Sequence, residues 1–364
     1  MINRRNKIMV SDSSTAEELA LLIGSTGAMH EQLKKEAAKT TMQYRGNKVF
    51  YRGLIEFSNI CTKDCFYCGI RKSNSQVERY LLTEDSIVEA ALYAWRNHYG
   101  SVVFQSGERT DTVFVEMINR ILARIKKETD GKLGITLSLG EQPESVYRQW
   151  FANGAHRYLL RIETTNRDLY KKIHPDNELH SFDKRMKCLH LLKKTGYQTG
   201  TGVMIGLPGQ THLDLANDLL FFKSFDIDMV GMGPYIEHEQ TPLYQHRDRL
   251  WPLQQRFDTA LNMIATLRLL MPDINIAAAT ALQSIDPMGR EKALQWGANV
   301  IMPNITPTEH RKDYLLYQNK PCTDEGADDC SSCLKLRIEM AGKEVGFDEW
   351  GDSLHFFNRQ TDNK

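Results

Sequence analysis

The sequence predicts an α/β chain folded as a (β/α)8 TIM-type barrel, with an N-terminal helical extension and a C-terminal extension that carries cysteines. Three observations predict it. Short apolar runs alternate with amphipathic segments eight times, with no low-complexity linker between them. The polar and glycine-rich motifs fall at the ends of predicted strands, and the carboxyl ends of the strands are where barrel chemistry resides. The composition, 41% hydrophobic and 25% charged, is that of an ordinary globular chain. A doubly wound open sheet shares the alternation, but the count of eight favours the barrel.

The first 48 residues form the helical extension. Ser14 followed by Glu17 resembles a capping box, and a mixed apolar and charged run continues to about Arg45. The barrel spans residues 49–310. Its strands are expected at Val49–Ser58, Ser101–Ser106, Gly134–Leu139, Arg157–Glu163, Thr199–Ile205, Met229–Pro234, Ile274–Ala279 and Val300–Asn304. Helices are expected at Glu84–His98, Asp111–Glu128, Glu144–Asn153, Phe182–Lys194, His212–Ser224, Leu253–Leu270 and Arg290–Trp296. Residues 311–364 are expected to close the barrel and to hold a last helix from about Cys330 to Met340.

Lys plus Arg and Asp plus Glu are balanced at 46 each, so no global field points to nucleic acid or an anionic membrane. The opening stretch MINRRNKIMVSDSS lacks an apolar run of leader length, and no window approaches the roughly 18 apolar residues of a membrane span. The expectation is a cytoplasmic protein with neither nucleic acid nor membrane as partner. Seven cysteines fall into the groups 61/65/68 and 322/330/333, plus Cys188, which is expected to be a buried core thiol. An odd count clustered in threes is a poor disulfide framework and points to bound metal.

The run IEFSNICTKDCFYCGIR sets Cys61, Cys65 and Cys68 at C-x3-C-x2-C directly after the first strand. Three thiolates in one loop can ligate three irons of a 4Fe–4S cubane and leave the fourth open, as chemistry at a cluster requires. S-adenosylmethionine can chelate that iron, take up an electron at its sulfonium and release a 5′-deoxyadenosyl radical; a low-potential electron donor is then implied. Zinc sites close four ligands, and the nearest histidine, His98, lies thirty residues on behind a predicted helix. Tyr67 offers an aromatic face to adenine, or is a packed core tyrosine.

Further candidates sit at strand ends. Phe104-Gln105-Ser106-Gly107-Glu108 ends the second strand with exposed backbone and a carboxylate for a substrate ammonium; an ordinary turn is the alternative. Thr136 and Ser138 share a face of the third strand and either line the interior or bond each other. Arg161 and Glu163 share a face of the fourth, as co-ligands or as a buried salt bridge. The stretch from Gly200 through Met204 to Thr211 permits close approach to a flat ligand, and it is not a phosphate-binding P-loop. Thr280 offers a hydroxyl between alanines.

CTKDCFYC carries the radical S-adenosylmethionine signature. Together with QSGE, TLSLGEQP, RYLLRIET, GLPGQT, DMVGMGPYI, TPL and GANVIMPN it resembles the FeFe-hydrogenase maturation enzymes of the HydE family, from about Tyr51 to Cys333. The resemblance implies a closed (β/α)8 barrel and a role in assembling the hydrogenase diiron subcluster. The substrate it implies is a cysteine-bound iron carbonyl cyanide synthon supplied by the maturase HydG, whose sulfur the adenosyl radical attacks; the product passes towards HydF. By position Ser106, Gly107 and Glu108 would contact the methionine end of S-adenosylmethionine, Arg185 its carboxylate and Glu163 its ribose, with Met204 also on the cofactor side. Thr136, Ser138, Arg161, Thr280, Tyr314 and Tyr317 would line the substrate cavity. Glu237 and Glu239 stand where relatives often have proline, and Ile162 where some carry histidine.

Cys322, Cys330 and Cys333, at C-x7-C-x2-C, are expected to hold an auxiliary iron–sulfur cluster, with zinc or free thiols as alternatives. Asp324, Asp328 and Asp329 make the loop acidic, which speaks against a catalytic role. An amino-acid mutase such as methylornithine synthase shares the cysteine loop and barrel and is the alternative function. Sulfur insertion of the biotin-synthase kind is disfavoured, since none of the predicted strands contains a cysteine for a sacrificial cluster. A non-enzymatic iron–sulfur carrier would not need the strand-end motifs.

Overall fold

The computed structural model describes residues 8–324 and 327–362, the side chains of residues 327–333 and 362 lying outside that description. Its strands are β1 (Lys48–Ser58), β2 (Ser101–Ser106), β3 (Gly134–Ser138), β4 (Arg157–Leu159), β5 (Gln198–Thr201), β6 (Met204–Ile205), β7 (Met229–Pro234), β8 (Asn275–Ala278), β9 (Val300–Ile301) and β10 (Glu344–Val345). Eight of them form a closed parallel barrel in the order β1-β2-β3-β4-β5-β7-β8-β9, with β9 returning to β1. Short β6 pairs with β7 at the carboxyl-end mouth, and β10 adds to the amino end of β1.

Alternation along β1 sorts its side chains. Ile55 and Phe57 point outward into the helix layer, where Phe57 stacks on Phe114. Leu54 and Glu56 point into the barrel and line its cavity. The register of β1 against β2 shifts between Glu56 and Ser58, a bulge that turns the chain into the cysteine loop.

Four expectations are corrected. The N-terminal extension is two helices, Ala16–Ile23 and Gly27–Arg45, and the capping box is Thr15 with Glu18. Gly24 caps the first helix, where a side chain would not fit: a Cβ there would lie 2.6 Å from His212 Nδ1. The fourth strand leaves the regular ladder after Leu159; beyond it the chain keeps to β5 through the Thr201 hydroxyl and a bridge from Glu163 to Val203. The strand expected at Thr199–Ile205 is split into β5 and β6 at Gly202, where the chain packs against Gly231 so closely that a Cβ would lie 1.8 Å from its carbonyl oxygen.

The amino-end floor of the barrel is sealed by residues 350–353. Arg52 and Asn275 donate to the Gly351 carbonyl at 3.0 and 2.8 Å, and Arg157 donates to the Trp350 carbonyl at 2.9 Å and pairs with Asp352. The helix Leu354–Asp362 follows, pinned by His355 between Asp226 and Asp273 and by Arg359 on Asp226 and Asp228. Among the described residues, no helix is long and apolar enough to cross a membrane.

Candidate active site

The carboxyl-end mouth opens onto a cavity of about 380 Å³. Cys61, Cys65 and Cys68 all line it, on a loop fastened from several sides. Thr62 donates to the Glu108 carbonyl at 2.9 Å through both its N–H and its hydroxyl. The Asp64 N–H donates to His180 Nε2 at 2.9 Å, and the Phe66 N–H to the Ile173 carbonyl at 3.0 Å. Gly107 lets the end of β2 press on this loop: a Cβ would sit 2.4 Å from the Ile60 carbonyl oxygen.

The loop suits an open iron–sulfur cluster. Burial pushes the Cys61 and Cys68 thiols up and Cys65 up to about 12, and thiolate neighbours add to the rise at Cys65 and Cys68. Three thiolates can coexist there only if a cationic metal assembly compensates them. The N–H groups of Lys63 and Glu108 point at Cys61 Sγ from 3.4 and 3.3 Å, the contacts that tune cluster potentials. Among the described residues no three of His, Cys, Asp or Glu are placed to hold a single ion.

Beneath the loop lies an ion network that the sequence did not disclose. Lys63, between the first two cysteines, reaches Glu108 at 3.1 Å and Glu141 at 3.0 Å. Arg185 donates to Glu141 at 2.7 Å and to the Arg161 carbonyl at 2.6 Å, and lies 3.9 Å from Glu108. All four side chains are at most 9% exposed. Burial raises the Glu108 carboxyl; at Glu141 burial is outweighed by Arg185 and Lys63, which hold it low. Glu141 thus serves as the fixed counter-ion, while Glu108 remains the less compensated acid facing the cavity. The GEQP run, immediately after the third strand, carried the only sequence signal for Glu141.

Of the other candidates, Tyr67, Ser106, Gly107, Ser138, Arg161, Glu163, Met204, Thr280, Tyr314 and Tyr317 also line the cavity. Arg161 and Glu163 form a forked ion pair, closest at 2.9 Å, and Glu163 holds a left-handed backbone with φ +67. Such a conformation is uncommon outside glycine and here aims the carboxylate inward. Tyr67 is neither free nor simply packed: its hydroxyl lies 3.4 Å from His174 Nε2. Thr136 does not join this group. It sits one layer lower, its hydroxyl accepting from Arg157 Nε at 2.9 Å within the floor. Cys188 is buried in the core. Cys322 is half-buried with φ +62, whereas the Cys330 and Cys333 side chains lie outside the described residues.

Residues 55–222 match the radical SAM superfamily model. The chain is 44% identical to the [FeFe] hydrogenase maturase subunit HydE of Thermotoga maritima, over 93% of each chain. The chain belongs to the HydE family of radical SAM enzymes. It is also 29% identical to 3-methylornithine synthase of Methanosarcina barkeri, over 86% of this chain and 84% of that one. The solved methylornithine synthase (PylB) superposes with a TM-score of 0.76 at 25% identity, over 92% of this chain and 94% of that one. Membership of the HydE family brings a 4Fe–4S cluster and S-adenosylmethionine as cofactors.

Proposed function

We propose that this chain is a maturase of FeFe hydrogenase that acts on the sulfur of a cysteine-bound iron carbonyl cyanide unit. One observation carries the proposal: three thiols of a single loop open into the same cavity as two carboxylate–cation systems, in a chain 44% identical to a HydE maturase. The reduced cluster supplies the electron that cleaves S-adenosylmethionine to the 5′-deoxyadenosyl radical. In this reading Cys61, Cys65 and Cys68 hold three irons and leave the fourth to the cofactor. Glu108 takes the cofactor's ammonium and Arg185 its carboxylate, beside Ser106 and Gly107. Glu163 reaches the ribose, while Tyr67 and Met204 bound the adenosyl group. Arg161, Ser138, Thr280, Tyr314 and Tyr317 enclose the substrate; Thr136, in the floor, is left out. The cysteine-bound unit would come from HydG and the product would pass to HydF, in the cytoplasm.

The test is anaerobic reconstitution followed by dithionite and S-adenosylmethionine. Wild-type protein is expected to form 5′-deoxyadenosine, Cys65→Ser to form none, and Cys330→Ser to keep the activity. No 5′-deoxyadenosine from the wild type would overturn the reading. Equal loss in both variants would make the C-terminal thiols part of the catalytic machinery. The likeness to methylornithine synthase supports a second reading, an amino-acid rearrangement. Activation of apo-hydrogenase by the iron unit in the presence of this protein selects the first; methylornithine formation selects the second.

A further inference from the structure

The cavity is lined by a further ion pair, on the side away from Arg161 and Glu163. Arg161 and Glu163 follow β4, and across the barrel, on β1, stands Glu56. Its partner, Lys320, belongs to the C-terminal extension. Lys320 Nζ lies 2.6 and 2.7 Å from the two Glu56 oxygens and donates to the Tyr314 carbonyl at 2.9 Å. Asn304 donates to Glu56 Oε2 at 3.0 Å. The Glu56 and Lys320 side chains are 2% and 6% exposed, and both line the cavity.

Lys320 reaches this place because residues 313–320 form a strap across the mouth. The Leu316 carbonyl accepts from the Gly69 N–H of the cysteine loop at 2.9 Å. The Gln318 N–H donates to the Glu237 carbonyl beyond β7 at 3.1 Å, and Asn59 Nδ2 donates to the Asp313 carbonyl at 2.7 Å. A strap so fastened does not need an ion pair beneath it, since apolar packing of equal volume holds such a segment as well or better. The pair therefore calls for a role in the cavity it faces.

The acceptor count bears on that role. Lys320 spans both Glu56 oxygens and also donates to the Tyr314 carbonyl. A carboxylate offers about four acceptor directions, and Glu56 spends three of them, on Lys320 twice and on Asn304. One direction remains, on Oε1, at the wall of the cavity. Nearby walls are made of small residues, Gly231, Gly233, Ala277, Ala278 and Ala279, which leave room for bulk between the two ion pairs.

We propose that Glu56 is a specificity-determining residue that receives the primary ammonium of an amino-acid-derived substrate, with Lys320 holding it in place and charge-balanced. The proposal rests on the reading above that the substrate is cysteine-bound, and it adds the group that recognises the cysteine's amino end.

The test uses reconstituted protein with S-adenosylmethionine and three probes: S-methyl-L-cysteine, its N-acetyl derivative and 3-(methylthio)propionate. Binding is followed by calorimetry. The wild type is expected to prefer the free amine by about tenfold or more, the usual size of a hydrogen bond to a charged group. Glu56→Gln removes the charge but strands Lys320, so the paired variant Glu56→Gln with Lys320→Gln is measured beside it. The preference is expected to collapse in both, with 3-(methylthio)propionate affinity retained in the paired variant. A preference that survives in the paired variant, or that is missing from a wild type that still makes 5′-deoxyadenosine, overturns the assignment of Glu56. A wild type that makes no 5′-deoxyadenosine overturns the functional reading instead.

Discussion

The two ends of the barrel use their arginines in opposite ways. At the floor, Arg157 bonds the Trp350 carbonyl, the Thr136 hydroxyl and Asp352, and Arg52 bonds the Gly351 carbonyl. These partners belong to the protein's own plug, and neither arginine lines the cavity. At the mouth, Arg161 and Arg185 line the cavity themselves, Arg161 pairing with Glu163 and Arg185 with Glu141, beside Glu108. Arg157 and Arg161 are four residues apart on one segment, yet one closes the floor and the other faces the cavity. Chemistry is decided by which carboxylates keep an unspent face, not by the arginine.

This contrast can be broken. Arg157→Met takes the Thr136 hydroxyl's donor and leaves Asp352 with His156, and is expected to cost about 3–5 kcal/mol of stability. Denaturant unfolding checks it, and 5′-deoxyadenosine formation per folded molecule should be unchanged; a large loss of activity in folded protein would place the floor in the chemistry. Glu141→Gln at the mouth removes one charged partner from both Lys63 and Arg185. It is expected to cost about 1.5–3 kcal/mol, showing mainly as a raised KM for S-adenosylmethionine. A purely structural effect would lower the melting temperature and leave KM alone.

The smallest effect concerns pH at the floor. Although burial opposes it, the contacts with Asp273 and Asp226 raise the His355 pKa. A raised histidine contributes stability that is complete below its unfolded pKa of about 6.5 and is lost as pH rises through the folded value. Hydrogen exchange of the helix Leu354–Asp362 should therefore quicken from about pH 6.5 upward, whereas cofactor binding at the mouth should not follow it. Exchange that is flat with pH, apart from its intrinsic rate, would count against this account, and His355→Gln should abolish the dependence.

Much of the barrel was legible in the sequence because its pattern is local. β2, β7 and the helix Leu253–Leu270 have the bounds that their periodicity predicts. β4 stopped short because its apparent continuation spends Arg161 and Glu163 on the cavity. The cysteine loop was legible because spacing within eight residues carries its meaning. Glu56, Lys63, Glu141 and Lys320 were not, since each gains its meaning from distant partners. Glu56 and Lys320 are separated by 264 positions, and no local pattern joins them. Alternation along β1 does put Glu56 on the same face as Leu54, and that was the available clue.

Gly107 has a consequence for assembly. The Ile60 carbonyl passes so close to Gly107, just beyond β2, that main-chain contact as well as the thiols constrains the path of the cysteine loop. A loop held in this way would take up iron without first refolding. Oxidative loss of the metal should be repairable in an intact chain, with no new round of folding.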